Sequence, residues 1–145
     1  TITEVGDHAF RSCGQLKIVV LNEGLQKIGE RAFSECPSLE SINFPSTITE
    51  VGDRAFQKCK QLKDVMLNEG LLGQKIGGGV FSDCSSLESV KCPSTVSEIG
   101  EGAFQRCSSL KDVMLNEGLQ KIGEGAFSEC SSLENIEFSS TISEV

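Results

Sequence analysis

Tryptophan and tyrosine are absent from the 145 residues, and there are only one histidine and three prolines. Eight phenylalanines are therefore the only aromatic side chains. No apolar run approaches the ~18 residues that a membrane-spanning helix needs, so no membrane insertion by such a helix is expected. Positive charge is also scarce. Thirteen Lys and Arg face 21 Asp and Glu, a formal charge of −8. Phosphate backbones and anionic lipid surfaces are bound by clustered Lys and Arg, which sets nucleic acid aside as a partner. His8 stands beside Asp7 with no Ser or Cys nucleophile oriented by a third group, so the parts of a nucleophilic site are missing. No catalytic residue, cofactor, metal or small-molecule substrate is expected.

What is present is a repeat. Phe10, Phe33, Phe56, Phe81, Phe104 and Phe127 are spaced 23, 23, 25, 23 and 23 residues apart. A cysteine follows each of them three positions later, from Cys13 to Cys130, and Leu16, Leu39, Leu62, Leu87, Leu110 and Leu133 keep the same period. The unit reads I/V-G-x-x-A-F-x-x-C-x-x-L-x-x-I/V-x-L/F. Six units fit it, and a seventh begins at Ile142. Self-similarity at such a period implies stacked units sharing one core, because no single unit can bury its apolar face alone.

Each unit divides into three parts. In Leu62-x-x-Val65-x-Leu67 the last two apolar positions alternate as in a strand with one buried face. Asn-Glu-Gly or Pro-Ser-Thr then supplies a turn. A short extended piece such as Ile48 to Val51 leads to Gly52, and Ala55, Phe56 and Cys59 have the spacing of one face of a one- to two-turn helix. An acid follows the Gly in five units, at Asp7, Glu30, Asp53, Glu101 and Glu124, where a helix dipole favours negative charge. The expected fold is an α/β solenoid of 23-residue units, with a parallel sheet on one face and short helical turns opposite. The chain, residues 1–145, is expected to be one domain of six full repeats plus the start of a seventh.

A second period of about two units overlies the first. Three columns alternate in sign along the stack. They are Lys17, Glu40, Lys63, Glu88, Lys111 and Glu134 on the strand; Glu4, Lys27, Glu50, Lys75, Glu98, Lys121 and Glu144 on the extended piece; and Ser12, Glu35, Lys58, Asp83, Arg106 and Glu129 before the Cys. Neighbouring opposite charges of this kind are worth ~0.2–1 kcal/mol each. The five acids after the Gly, with Glu23, Glu69 and Glu117, account for the excess; the remaining 13 acids balance the 13 bases. These charges read as solvated structure, the minority alternative being an acidic edge for a basic partner or divalent cation.

These residues resemble the BspA-like leucine-rich repeat family, whose units carry I-G-x-x-A-F-x-x-C-x-x-L-x-x-I-x-L-P. The likeness runs through nearly the whole chain. It departs from the common L-x-x-L-x-L-x-x-N pattern, because Asn22, Asn68 and Asn116 directly follow the last Leu, so no buried Asn ladder is expected. The family's Pro after the strand is kept only at Pro45 and Pro93. The resemblance implies secreted or cell-surface proteins, often linked to adhesion, whose repeats bind other proteins.

Cysteines on neighbouring units project in parallel, which suits neither converging metal ligands nor a disulfide. They read as buried reduced thiols, and Cys92, standing where Phe44 and Phe138 stand in other units, reads as core too. Gly100-Glu101-Gly102 and Gly77-Gly78-Gly79 complete no dinucleotide fingerprint. The fourth unit is irregular, with two extra residues around Leu72-Gly73 and Val80 in place of Ala, and a surface bulge or a partner-contacting loop is expected there. The candidate protein-binding face is the exposed side of the strands: Val20, Asn43, Asp64, Met66, Lys91, Asp112, Met114 and Glu137. Apolar Val20, Met66 and Met114 on alternate units suit a protein interface. The alternative is a structural spacer or assembly scaffold within a larger protein. The chain opens at Thr1 without Met and breaks within a repeat, so a longer array, or end-to-end self-association through uncapped ends, is expected.

Overall fold

A computed structural model describes residues 1–67, 69, 75–138, 140, 144 and 145. The insertion at Leu72-Gly73 and the seventh-unit Ile142 lie outside the described residues. Each unit forms one rung of a solenoid and contributes a short and a longer strand. The short strands are β1 (Glu4–Val5), β3 (Lys27–Ile28), β5 (Glu50–Val51), β7 (Lys75–Ile76), β9 (Glu98–Ile99) and β11 (Lys121–Ile122). The longer ones are β2 (Ile18–Val20), β4 (Ser41–Asn43), β6 (Asp64–Met66), β8 (Ser89–Lys91), β10 (Asp112–Met114) and β12 (Asn135–Glu137). All pairing is parallel and in register from one rung to the next, for example Val19 with Ile42 with Val65.

The helical turns expected opposite the sheet are not formed: no helix occurs among the described residues. The segment around Ala-Phe-x-x-Cys is a string of tight turns that itself forms a ladder. Ala9, Arg11 and Cys13 donate their N–H to the carbonyls of Gly6, His8 and Phe10, three residues back, at 3.0–3.3 Å. The residues between them, His8, Phe10 and Ser12, donate instead to Glu30, Ala32 and Ser34 of the next rung at 2.7–2.9 Å. A helix would use every donor within the segment. Here half of them bond across rungs, and the backbone turns left-handed twice per rung to allow it. The first such position is His8 (φ 58°), Arg31, Arg54, Gly79, Gly102 and Gly125; the second is Ser12 (φ 60°), Glu35, Lys58, Asp83, Arg106 and Glu129. A left-handed residue every fourth position is incompatible with a right-handed helix.

The Gly that opens this segment is there for space. A Cβ on Gly52 would lie 2.6 Å from Glu30 N and 2.7 Å from Gly29 C, and one on Gly100 would lie 2.7 Å from Ile76 O. At Gly6, in the first rung described, nothing comes within 4 Å. The acids that follow do not sit at helix starts. Asp7 and Asp53 instead accept the N–H of Glu30 and Gly78, each at 2.8 Å, so the carboxylate caps the backbone of the next rung.

Inside, the phenylalanines form a continuous stack from Phe10 to Phe127, with ring centroids 5.1–5.7 Å apart and nearly parallel planes. The widest step, 5.7 Å, is Phe56 to Phe81, where the period lengthens. Leu39, Leu62, Leu87 and Leu110 fill the layer beside them and are fully buried. At the third-to-fourth rung step the turn ladder continues, with Phe56 N–H donating to Val80 O at 2.9 Å. The strands do not. The longer strands form two three-stranded sheets, β2-β4-β6 and β8-β10-β12, and the short ones divide likewise.

Candidate functional site

The longer strands place Val19, Ile42, Val65, Val90, Val113 and Ile136 inward and their neighbours outward. All eight candidate residues are exposed on this one face. Val20, Asn43 and Met66 are register partners in one column, and Lys91, Met114 and Glu137 continue it in the second sheet. Asp64 and Asp112 stand in the column beside them, and Asp112 accepts a 2.9 Å hydrogen bond from Asn135 Nδ2. Val20, Met66 and Met114 are 77, 60 and 53% exposed, so alternate rungs present apolar side chains to solvent.

The three charge columns behave differently. On the short strands four of the six neighbouring pairs close among the described residues: Lys27 Nζ lies 3.8 Å from Glu4 and 3.5 Å from Glu50, Lys75 lies 2.9 Å from Glu98, and Lys121 lies 3.5 Å from Glu144. Glu50, then Glu4, raise the Lys27 pKa, and the hydrogen bond to Glu98 raises that of Lys75. In the turn column Arg106 pairs with Glu129 at 3.1 Å, while Glu35 takes Arg11, one residue outside the column, at 2.9 Å. The strand column does not close. Among the described residues, Lys17, Glu40, Lys63, Glu88, Lys111 and Glu134 are all exposed and form no ion pair within 4 Å. The expectation of paired ladders is thus corrected for this column, whose six residues stand one position before β2, β4, β6, β8, β10 and β12 and are exposed to solvent.

The two-unit period has a second basis that charge reasoning missed. Glu23 accepts both the N–H and the hydroxyl of Ser46, at 3.0 and 2.9 Å, and Glu69 does the same with Ser94 at 3.1 and 2.6 Å. Asn-Glu-Gly on one rung therefore clasps Pro-Ser-Thr on the next. Ser46 holds the Glu23 carboxyl below its usual pKa. Asn116 belongs to the same clasp, its amide donating to Pro93 O and Val96 O at 2.6 and 3.1 Å. The sequence signal was the co-occurrence of the two turn types on alternate units.

The thiols are structural donors. Cys36, Cys59, Cys84, Cys107 and Cys130 each direct Sγ to the carbonyl of the preceding rung's Phe at 3.1–3.3 Å. All seven are free; Cys13 and Cys130 are half-buried and the others are buried. Burial pushes the thiols of Cys59 and Cys92 up to about 12 and that of Cys84 well above its ordinary value. His8 is exposed at the first left-handed position, next to Asp7 whose carboxylate is used on Glu30. No group of three or more His, Cys, Asp or Glu among the described residues is placed to hold a metal, and no helix among them is long and apolar enough to cross a membrane.

The sequence profile of the BspA type leucine-rich repeat region matches residues 1–74 and 72–145 in six copies. Among solved structures, a leucine-rich repeat protein from Bacteroides ovatus superposes with a TM-score of 0.83 at 30% identity, over 88% of this chain and 33% of its own. One from Eubacterium ventriosum gives 0.83 at 24% identity, over 98% of this chain and 40% of its own. The T. pallidum leucine-rich repeat protein gives 0.69 at 30% identity, over 91% of this chain and 72% of its own. The chain thus spans a third to two fifths of the length of the first two. No curated protein matches it.

Proposed function

We propose that this chain, which belongs to the BspA-type leucine-rich repeat family, is a non-catalytic module that binds a protein partner through the outer face of its longer strands. The observation that carries this reading is the exposure of apolar Val20, Met66 and Met114 on alternate rungs of one face, with exposed charges one position before each strand that form no ion pair among the described residues. Charges that stabilise a fold are spent on one another, as they are on the short strands. Charges left open before the strands that carry exposed Met66 and Met114 are available to a second molecule. Flexible methionines adapt to a partner's surface at little cost. Adhesion at a cell surface or to matrix is the form of this binding that family membership favours.

The test is a double substitution, Met66→Asp with Met114→Asp. It should abolish retention of protein partners while leaving the thermal midpoint within a few degrees, since both side chains are exposed. A turn-face control, Arg54→Ser with Lys58→Ser, should leave retention intact. Partner binding that survives the Asp substitutions contradicts the proposal. A spacer role, favoured by the close likeness of the units, predicts instead that only the number of repeats matters.

A further inference from the structure

The strand face changes chemistry from one rung to the next. β2 turns Ile18 and Val20 outward, β6 turns Met66 outward and β10 turns Met114 outward, all exposed and apolar. The rungs between them present Asn43 and Lys91 in the same column. Two residues before each Met, on the same strand and the same side, stands an exposed acid, Asp64 or Asp112. Asp64 and Lys91 form no ion pair among the described residues. β6 and β8 lie side by side across the division of the sheet, and the Phe stack widens there only to 5.7 Å, so the period persists. We propose that the partner of this face is a basic amphipathic α-helix of another protein, lying along the solenoid axis across the strands. The proposal rests on the sheet face being the binding surface.

Spacing selects the helix. Parallel strands are ~4.8 Å apart, so apolar side chains recur every ~9.6 Å along the axis with a polar one midway. An α-helix rises about 1.5 Å per residue, which puts positions i and i+7 about 10.5 Å apart on one face, with i+3 and i+4 between them. Apolar residues seven apart therefore meet Val20, Met66 and Met114 in turn, and those between meet Asn43 and Lys91. The excess of ~0.9 Å per two rungs is within the reach of flexible methionines. An extended strand repeats its face every ~6.6 Å and falls out of step. A polyproline II segment returns every ~9.3 Å but offers no side chain at the midway rung, which leaves Asn43 and Lys91 without a counterpart. A segment running along one strand would meet a single rung's pair.

Charge sets the flanks of that helix. The Asp64 and Asp112 column is displaced sideways from the Met column by two strand residues, ~6.6 Å. A helix with its side chains is about 10 Å across, so residues flanking its apolar seam stand over the acids. Lys or Arg seven residues apart on that flank answers Asp64 and Asp112, and a Glu on the seam answers Lys91. The formal charge of −8 draws a basic segment toward the chain. Binding of this kind weakens as salt rises, because its charge pairs sit at the edge of water.

The probe is a synthetic peptide of about three heptads, with Leu at every seventh position, one Glu on the seam between two Leu, Lys along one flank, and Ala and Gln elsewhere. Fluorescence anisotropy reads its binding to the full chain at low salt, beside two controls. One has the same composition with the seven-residue spacing scrambled; the other has the flanking Lys changed to Glu. Both controls should bind at least tenfold more weakly than the first peptide. Asp64→Lys with Asp112→Lys should reverse the preference between the Lys- and Glu-flanked peptides, with the thermal midpoint held within a few degrees because both sites are exposed. Equal binding of the ordered and scrambled peptides overturns the proposal, as does a preference that the Asp substitutions leave unchanged. Tighter binding of a basic polyproline peptide overturns it as well. A chain that binds none of these peptides, yet loses retention of another protein on Met66→Asp with Met114→Asp, keeps its binding surface here and overturns the helix alone. Binding of the ordered peptide that survives those Met substitutions places the site elsewhere and overturns both readings.

Discussion

At the scale of single residues, the fold depends on side chains that are missing as much as on those present. Gly52 approaches the rung before it so closely that a methyl group would strike backbone atoms at 2.6 and 2.7 Å, and backbone cannot yield as a flexible side chain can. Gly52→Ala should therefore cost about 2–3 kcal/mol, at the upper end of overpacking effects. Gly6→Ala, where the space is open, should stay within about 0.5 kcal/mol. Chemical denaturation of the two variants checks both, and equal costs contradict the close-approach account. The thiols give a second residue-scale prediction. Burial raises their folded pKa above that of an ordinary thiol, to about 12 for Cys59 and Cys92. The sign is fixed by linkage. The stabilisation is complete below pH 9 and is lost as pH climbs toward 12, because the unfolded chain releases protons that the folded one retains. Each such thiol removes up to about 1.4 kcal/mol per pH unit in that window. Equilibrium unfolding between pH 8 and 11 should show the loss, and Cys59→Ala should flatten its slope while lowering stability at neutral pH. A flat profile over that range contradicts buried thiols.

At the scale of elements, what could be read from the sequence and what could not separate cleanly. The rungs, the strands and the Phe, Cys and Leu layers follow from a period repeated six times, and each lies where the spacing puts it. The turn segment reads as helical in the sequence because apolar residues at positions one, two and five, as in Ala55, Phe56 and Cys59, are shared by a helix turn and by stacked tight turns. Periodicity cannot tell them apart when half the backbone donors bond to a different rung. Gly79, Gly102 and Gly125 do carry the left-handed signal, but His8, Arg31 and Arg54 hide it in the first three rungs. Likewise the alternation of charge signs is visible in the sequence, while the reach of each side chain is not. An exposed pair is worth less than about 1 kcal/mol, too little to force the strand column shut. The division of the sheet at the lengthened fourth unit leads to a prediction at this scale. β4 and β10 are flanked on both sides, whereas β6 and β8 end their sheets. Amides of β4 and β10 should exchange with solvent more slowly than those of β6 and β8; uniform protection across the four would show that the ladder is unbroken.

At the scale of the whole molecule, the chain uses three faces for different purposes. The turn face and the short strands consume their hydrogen-bonding groups and many of their charges in stacking one rung on the next. The longer strands satisfy their backbones in the same way but, the Asp112–Asn135 hydrogen bond apart, leave their described outward side chains uncommitted. That division explains how near-identical units can be structural and still present a surface, since the residues outside the repeat's constraint are those that vary from rung to rung: Val20, Asn43, Met66, Lys91, Met114 and Glu137. The chain's only two methionines both stand on that face, Met66 60% and Met114 53% exposed. Their oxidation by peroxide therefore reports on the face alone, read by mass spectrometry with the chain free and with it saturated by a retained protein partner. The account predicts that both sulfoxides form at least several-fold more slowly in the bound state. Oxidation of Met66 and Met114 at the free rate while the complex stays intact would contradict the claim that the strand face is where this protein binds.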